Sequence, residues 1–450
     1  MRSDPPDSRP DPRPGQAPGG AGPGAGRTPT ARTADAGGVE PVIAVSFGGP
    51  AGGAAPPDGP GPAPGAPAAP PEPVRVPPVV DVTALDWDLV RRRVDPAALR
   101  ARLPEALARL EALLDGDGGP GFLFDADRAD PGDRAIRVSD ADAARPLWFV
   151  GDLHGDLLAL EAALALVRQD AGAAPNEASD GGDAWPASPR LVFLGDLFDD
   201  GGYGLEVLAR VFELLADDPS SVCVLAGNHD EALAWAGDHF TSRVSPSDFA
   251  DFLNARLGDE TAARAGRLAV RLFERAPRAL FFPDGLLAVH AGFPLVDLQA
   301  ELAGSGDFND PRALTDFAWV RLHPKARRKL PNRASRGSQF GREDWDDFCA
   351  LAARSGRPVT HMIRGHDHVE ERWEVPAAYA RHPVLTTNAL SRRLPRELFG
   401  PYARVPTVAR WVPGALPEVH RLHVPEAMVR ELFPEEADAG GAGGAAEGDA

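Results

Sequence analysis

The chain is short of sulfur, of long apolar runs and of net positive charge, and each shortage closes off a class of protein. Of its 450 residues only two are cysteine, Cys223 in SVCVLAG and Cys349 in WDDFCALAA. Both stand in apolar surroundings, which reads as small buried thiols rather than a disulfide and fits a reducing compartment. The N-terminal MRSDPPDSRPDPRPGQAPGG lacks the apolar stretch of a secretory leader, and no later run is long enough to span a bilayer. A cytoplasmic protein with no membrane partner is the expectation. A formal net charge of −19 and a pI near 5.0 leave no dominant basic face, so nucleic acid is not an expected partner. Any anionic substrate has to be drawn in locally.

What the chain does have is unevenly spread. Residues 1–78 are dominated by Pro, Gly and Ala, as in PPDGPGPAPGAPAAPPEPVRVPP, and hold almost nothing to bury. Such a segment cannot offset its ordering entropy, so a disordered arm with polyproline character is expected, with partner binding as its possible use. Its one apolar island, Val39 to Phe47, reads either as a chance patch or as a strand that docks. Residues 435–450 form a second tail of the same kind. Between them, 43% hydrophobic content over the whole chain leaves ample material for an enzyme-sized core. Residues 79–145 read as a helical lead-in packed on the main domain, because Leu99, Leu103, Leu107, Leu110 and Leu114 line one helical face. Residues 146–434 make the main domain, with a polar insert from Asp170 to Arg190 expected as a surface loop.

In that main domain one unit recurs: a short apolar strand, a glycine-bracketed polar loop, then a helix. LWFV runs into GDLHGD and a helical LLALEAALALV; LVFL runs into GDLFDDGGYG and LEVLARVFELLA; SVCVLA runs into GNHD and EALAWA. LLAVHAG and THMIRGHDH follow as strands that end in histidine. This alternation predicts an α/β fold with a parallel core, and places every polar cluster at the carboxyl end of a strand, the edge where ligands bind in open α/β sheets. The strand ends carry Asp152 and His154, Asp196 and Asp199, Asn228 and His229, His290, and His366 and His368. Taken singly each has a bland reading: Asn228 or Asp230 as a helix cap, His290 as a satisfied core histidine. Jointly they deliver carboxylate, amide and imidazole to one edge, a mixture suited to Mn, Fe or Zn. They are too many for one ion and suit a pair with a bridging carboxylate, the arrangement that displaces leaving groups at phosphorus.

The ordered set GDLHGD, GDLFDDGG, GNHD, VHAG and RGHDH resembles the calcineurin-like metallophosphoesterase superfamily over residues 147–368. RALFFPDGLLAVHAGFPL, FAWVR and SRGSQFG are similar to its branch of phosphoprotein phosphatases and diadenosine tetraphosphatases. The resemblance implies a β-sandwich of two sheets flanked by helices, with a dinuclear site of two divalent ions (Mn, Fe or Zn) at the strand ends. By motif, Asp152 and His154 bind the first metal, Asp196 bridges, and Asn228, His290 and His366 bind the second; His368 is placed either in the first metal's shell or beside it. Asn228, Arg336 and Arg333 would contact substrate, with Arg336 clamping its phosphate. His229 would protonate the leaving oxygen, oriented by Asp199, after attack by a bridging hydroxide. Where that branch usually has Gly-Asp-x-x-Asp-Arg-Gly, Asp200 replaces the arginine and must point away or pair with a cation. The stretch Arg321–Arg342, which holds Lys325, Arg327, Arg328, Lys329, Arg333 and Arg336 and no acid, reads either as an electrostatic funnel or as a solvated loop. The expected activity is hydrolysis of phosphoserine or phosphothreonine in a protein, or of a small phosphomonoester. The alternatives are a dinucleoside polyphosphate hydrolase and, from another class, an inactive scaffold, against which the retention of every ligand position argues.

Overall fold

Four of the strands, LWFV, VCV, ALF and LLAV, are apolar on every residue, and the tertiary structure shows why. In β3 (Leu147–Val150) Leu147 and Phe149 face one apolar cluster while Trp148 and Val150 face another. A strand buried on both faces loses the polar alternation of a half-exposed one. The computed structural model describes residues 76–116, 119–143, 145–172, 189–295, 307–331, 337–398 and 400–434. The expected arm except its last three residues, the tail, the island Val39–Phe47, most of the polar insert, and Arg333 and Arg336 lie outside the described residues.

In chain order the sheet strands are β1 (Val79–Val82), β2 (Ala135–Arg137), β3, β4 (Arg190–Phe193), β5 (Val222–Val224), β6 (Ala279–Phe281), β7 (Leu286–Val289), β8 (His361–Arg364), β9 (Trp373–Glu374), β10 (Val384–Thr387), β11 (Thr407–Trp411) and β12 (Glu418–Leu422). They form two six-stranded sheets, ordered β1-β12-β11-β3-β4-β5 and β9-β10-β8-β7-β6-β2. Leu147, Phe149, Val192 and Trp411 of the first sheet pack with Leu280, Leu286, Ala288 and Ile363 of the second, which makes the filling of a sandwich. Helices cover both outer faces. The first carries α1 (Trp87–Arg93), α2 (Pro96–Asp115), α3 (Leu157–Asp170), α4 (Gly204–Asp217) and α5 (Glu260–Arg275). The second carries α6 (Pro311–Trp319) and α7 (Arg342–Arg354). The metallophosphoesterase-type sandwich is thus the observed fold.

The parallel reading holds for the neighbours β3, β4 and β5, and again for β7, β8 and β10. It fails at β11, which runs antiparallel to both β3 and β12, and at the β6–β7 hairpin. No helix separates β11 from β12 or β6 from β7, so short returns make those neighbours antiparallel, whereas the β11–β3 pairing joins strands far apart in the chain. The lead-in supplies more than helices: β1 pairs with β12 and β2 with β6, so residues 79–145 finish one edge of each sheet. Arg190, expected at the end of a surface loop, instead opens β4 and is 1% exposed. Both cysteines are free and buried, with burial pushing the Cys223 thiol up to about 12. No helix among the described residues is long and apolar enough to cross a membrane.

Candidate metal centre

Parallel strands in each sheet send their carboxyl ends to the same side, and a backbone bridge between Asp152 and Asn388 joins the two sheets there. The loop after β3 is tied to the loop after β4, since the N–H groups of Leu153 and His154 both donate to the Asp196 carbonyl at 3.0 Å. The loops after β4 and β5 also touch: a Cβ on Gly195 would overlap the Gly227 backbone, so only glycine permits that approach. Five non-glycine residues of these loops, His154, Asp196, Asp199, Asp200 and His366, have φ between 44° and 69°. Each such residue costs of the order of 1 kcal/mol, and their concentration at one edge marks a site where geometry is held against local preference.

Two groups of side chains converge there. In the first, His154 Nε2 lies 3.2 Å from His368 Nε2 and 3.8 Å from Asp196 Oδ2, and Asp152 Oδ2 is 3.5 Å from His368 Nε2. In the second, His290 Nε2 lies 3.1 Å from both Asn228 Oδ1 and His366 Nδ1, and 3.3 Å from Asp196 Oδ2. Outer contacts set the tautomers. His154 Nδ1 donates to the Phe198 carbonyl at 3.2 Å, His290 Nδ1 to the Leu194 carbonyl at 3.0 Å, and His368 Nδ1 to Glu397 Oε1 at 2.7 Å. In neutral imidazoles the inward nitrogens then carry lone pairs, and they meet carboxylate and amide oxygens that are acceptors too. Acceptors facing acceptors at these distances, in a buried place, fit cations and little else. The residues that could hold one are Asp152, His154 and His368; His154, Asp196 and His229; and Asp196, His290 and His366, with Asp196 common to the last two.

The titration behaviour agrees. Burial, reinforced by nearby positive charge, holds His154 and His366 well below the ordinary histidine value, so they are neutral ligands in waiting. Burial also opposes charge on Asp196, yet His290, His229 and His154 outweigh it and hold its carboxyl well below the usual range. At His290 and His368 burial is overcome by the carboxylates around them, and both are raised, as expected where negative charge converges on one point.

His229 stands beside these groups with a different partner. Its Nδ1 is 2.8 Å from Asp199 Oδ2, and Asp199 Oδ1 accepts the Phe249 N–H at 2.9 Å. Burial works against its protonation, but Asp196 and Asp199 raise it to about 9, so the imidazolium persists at neutral pH. His229 and Asn228 line an open cleft of about 860 Å³ with Asp200, Trp319, Arg243, Arg321 and Arg396.

The structure therefore brings together Asp152, His154, Asp196, Asp199, Asn228, His229, His290, His366 and His368. Arg336 and Arg333 lie outside the described residues, although Gly337, next to Arg336, lines the cleft. Asp200 pairs with a cation, Arg396 Nη2 at 3.2 Å. Of the basic stretch, Arg321 reaches the cleft, whereas Arg327 pairs with Glu343 and Asp347 of α7. Sequence reasoning missed Asp156, Glu397 and Arg396, which hold the ligands, and gave Asp230 only its reading as a helix cap. Asp156, the second aspartate of GDLHGD, caps α3 through the Ala159 N–H and binds Ser391. Asp230 accepts the N–H groups of Asp196, Leu197 and Gly227. Both lie inside quoted motifs, and a carboxylate at a helix start was their signal. Glu397 and Arg396 follow an unremarkable RRLP and had none.

The sequence profile for calcineurin-like phosphoesterases matches residues 145–370, half of the chain. The serine/threonine-protein phosphatase 6 catalytic subunit of Caenorhabditis elegans is 22% identical over 242 residues, 53% of this chain and 63% of that protein. Its Drosophila melanogaster counterpart is 24% identical over 179 residues, 39% of this chain and 50% of that one. The matches thus span between half and two thirds of those relatives. A solved protein serine/threonine phosphatase from Saccharomyces cerevisiae, similar to human phosphatase PP5, aligns at 16% identity and a TM-score of 0.47, covering 75% of this chain and 93% of that one. A putative diadenosine tetraphosphatase aligns at 15% and 0.35, covering 65% and 99%. With the profile spanning every strand end that feeds the buried acceptor clusters up to His368, the chain belongs to the calcineurin-like phosphoesterase family.

Proposed function

We propose that the chain hydrolyses phosphomonoesters with two divalent cations, and that its substrate class is phosphoserine or phosphothreonine in proteins. The observation that carries this reading is the pair of acceptor clusters meeting at Asp196, with a charged His229 on the cleft beside them. Asp152, His154, Asp196 and His368 would hold the first ion, and Asp196, Asn228, His290 and His366 the second. Bound there, the ions supply Lewis acidity toward phosphoryl oxygens and activate water at neutral pH. The chain's own part is positional and protic. Phe198, Leu194 and Glu397 fix three imidazoles in the tautomer that turns a lone pair inward. Asp199 occupies Nδ1 of His229, which leaves Nε2–H as the proton donor on the cleft side, suited to a leaving alkoxide. The likeness to two phosphatase 6 catalytic subunits supports the phosphoprotein substrate.

A second reading, hydrolysis of dinucleoside polyphosphates, is favoured by the size of the cleft and the three arginines on its wall. The test strips the protein of metal, reloads it with Mn, Fe, Zn or Mg, and offers a phosphopeptide, an aryl phosphate and diadenosine tetraphosphate. Phosphopeptide turnover with two ions per chain is the expected result, and a tetraphosphate preference would favour the second reading. Asp196→Asn should leave the fold intact, lower the metal content below two and abolish turnover; an active protein with one ion per chain would refute the shared-carboxylate scheme.

A further inference from the structure

Three cations line the cleft, and an acid next to a motif residue pins each of them. Arg243 pairs with Glu231 at 3.3 Å, Arg321 with Asp367 at 2.8 Å and Arg396 with Asp200 at 3.2 Å. They are not equivalent. Arg243 has a side chain 67% exposed, and its Glu231 is shared with Arg278. Arg321 spends Nη1 on both Asp367 Oδ1 and the His366 carbonyl.

Arg396 differs because both ends of its tether are rigid. Asp200 is buried; its N–H donates to Asp248 Oδ1 at 2.9 Å, and its carbonyl accepts from Arg392 Nη2 at 3.1 Å. Arg396 sits in the short turn Pro395–Glu397, between the buried Leu394 and the buried Glu397. Glu397 is itself clamped by His368 Nδ1 at 2.7 Å and Arg372 Nη2 at 2.8 Å. One turn thus orients an imidazole of the acceptor cluster and aims a guanidinium at the cleft. Among the described residues Asp200 takes a single nitrogen of Arg396, which remains 48% exposed, so Nε and Nη1 are left for a second anion. A guanidinium donates in a planar fork that matches two oxygens of a phosphoryl group. Without Arg396 the same wall would present the Asp200 carboxylate and repel that anion.

On the hydrolase reading above, we infer that Arg396 is a substrate-binding residue that donates to the non-bridging oxygens of the phosphoryl group being transferred, with Asp200 as the positioning residue that holds it. Arg396 lies outside residues 145–370, so the chain beyond the family match completes the site.

The experiment uses the metal-loaded full chain and inorganic phosphate as probe. Phosphate affinity is measured by calorimetry, alongside KM and kcat on an aryl phosphate, for the wild type, R396A, R396K, D200N and the D200N/R396A double variant. Loss of one charge-assisted contact should weaken phosphate binding and raise KM by about 10- to 100-fold in R396A, with metal content unchanged. R396K should recover part of this, and D200N should bind phosphate at least as tightly as the wild type, because the asparagine oxygen still accepts from Arg396 Nη2 while the competing negative charge is gone. The double variant decides between binding and mere neutralisation, and it also removes any folding defect caused by an unpaired buried Asp200. A double variant as weak as R396A supports the inference; one restored to wild-type affinity overturns it, since Arg396 would then only balance Asp200. Unchanged affinity in R396A, or no phosphate binding by the wild type, overturns it as well. A wild type that binds phosphate but hydrolyses no phosphoester would sink the hydrolase reading and leave the assignment of Arg396 to be judged on affinity.

Discussion

Asp199→Asn probes how the fold makes an acid of His229. Asparagine can still accept the Phe249 N–H that Asp199 Oδ1 accepts at 2.9 Å, so the loop keeps its backbone tie. What disappears is the negative charge 2.8 Å from His229 Nδ1. Burial opposes protonation of His229, and Asp196 with Asp199 lifts it from 6.5 to about 9. A general acid works in its protonated form, so turnover should fall as pH rises through its folded pKa. Near pH 7.5 an imidazole at about 9 is almost fully protonated, whereas one at the ordinary value is protonated in about a tenth of molecules. Loss of the charge alone therefore costs up to about tenfold near neutrality and moves the alkaline limb of the pH–rate curve to lower pH. Loss of the ring, in His229→Ala, should cost about 10²- to 10⁴-fold and remove that limb. These losses belong to a phosphoserine-like alkyl ester, whose leaving oxygen needs a proton. An aryl ester with an acidic phenol should lose far less, because its oxygen departs readily as an anion. The assay is kcat against pH for both esters, with metal content measured at each pH. Equal losses on the two esters, or an unmoved alkaline limb in Asp199→Asn with metal intact, would refute the assignment.

Gly365→Ala should dismantle the first cluster, because its Cβ would overlap Asp152 Oδ1. Asp152 must then shift from its bonds to the His366 N–H at 2.9 and 3.0 Å, and metal stoichiometry should fall by one, with a stability loss of about 1–3 kcal/mol in a melt. Asp316→Asn should stabilise the fold at alkaline pH. Burial pushes the Asp316 carboxyl up to about 7 against an ordinary 3.8, and among the described residues only the Leu295 N–H donates to it, at 3.0 Å. A raised folded pKa means stability is fully present below the unfolded value and is lost as pH rises through about 7. The gain from asparagine should be on the order of 2 kcal/mol near pH 8 and vanish near pH 4 in denaturant titrations; an equal effect at both would contradict the account.

The clustering of Asp152, His154, Asp196, Asn228, His229, His290, His366 and His368 was legible because period and position are local properties. Uniformly apolar strands such as LWFV and LVFL announce burial on both faces, and parallel connections oblige their carboxyl-end loops to share an edge. Tertiary structure alone decided three things. It placed β1 and β2, strands of four and three residues, whose pairing with β12 and β6 depends on partners far away in the chain. It set β11 antiparallel to β3, a register that carries no sequence mark. It also brought the turn Pro395–Glu397 against Asp200 and His368, so that an arginine 196 residues along the chain from Asp200 answers its charge. A strand's apolar run is read from its neighbours in sequence. The cation that neutralises a buried carboxylate is chosen by distance through space, and 3.2 Å between Asp200 and Arg396 exists only once both sheets have closed on each other.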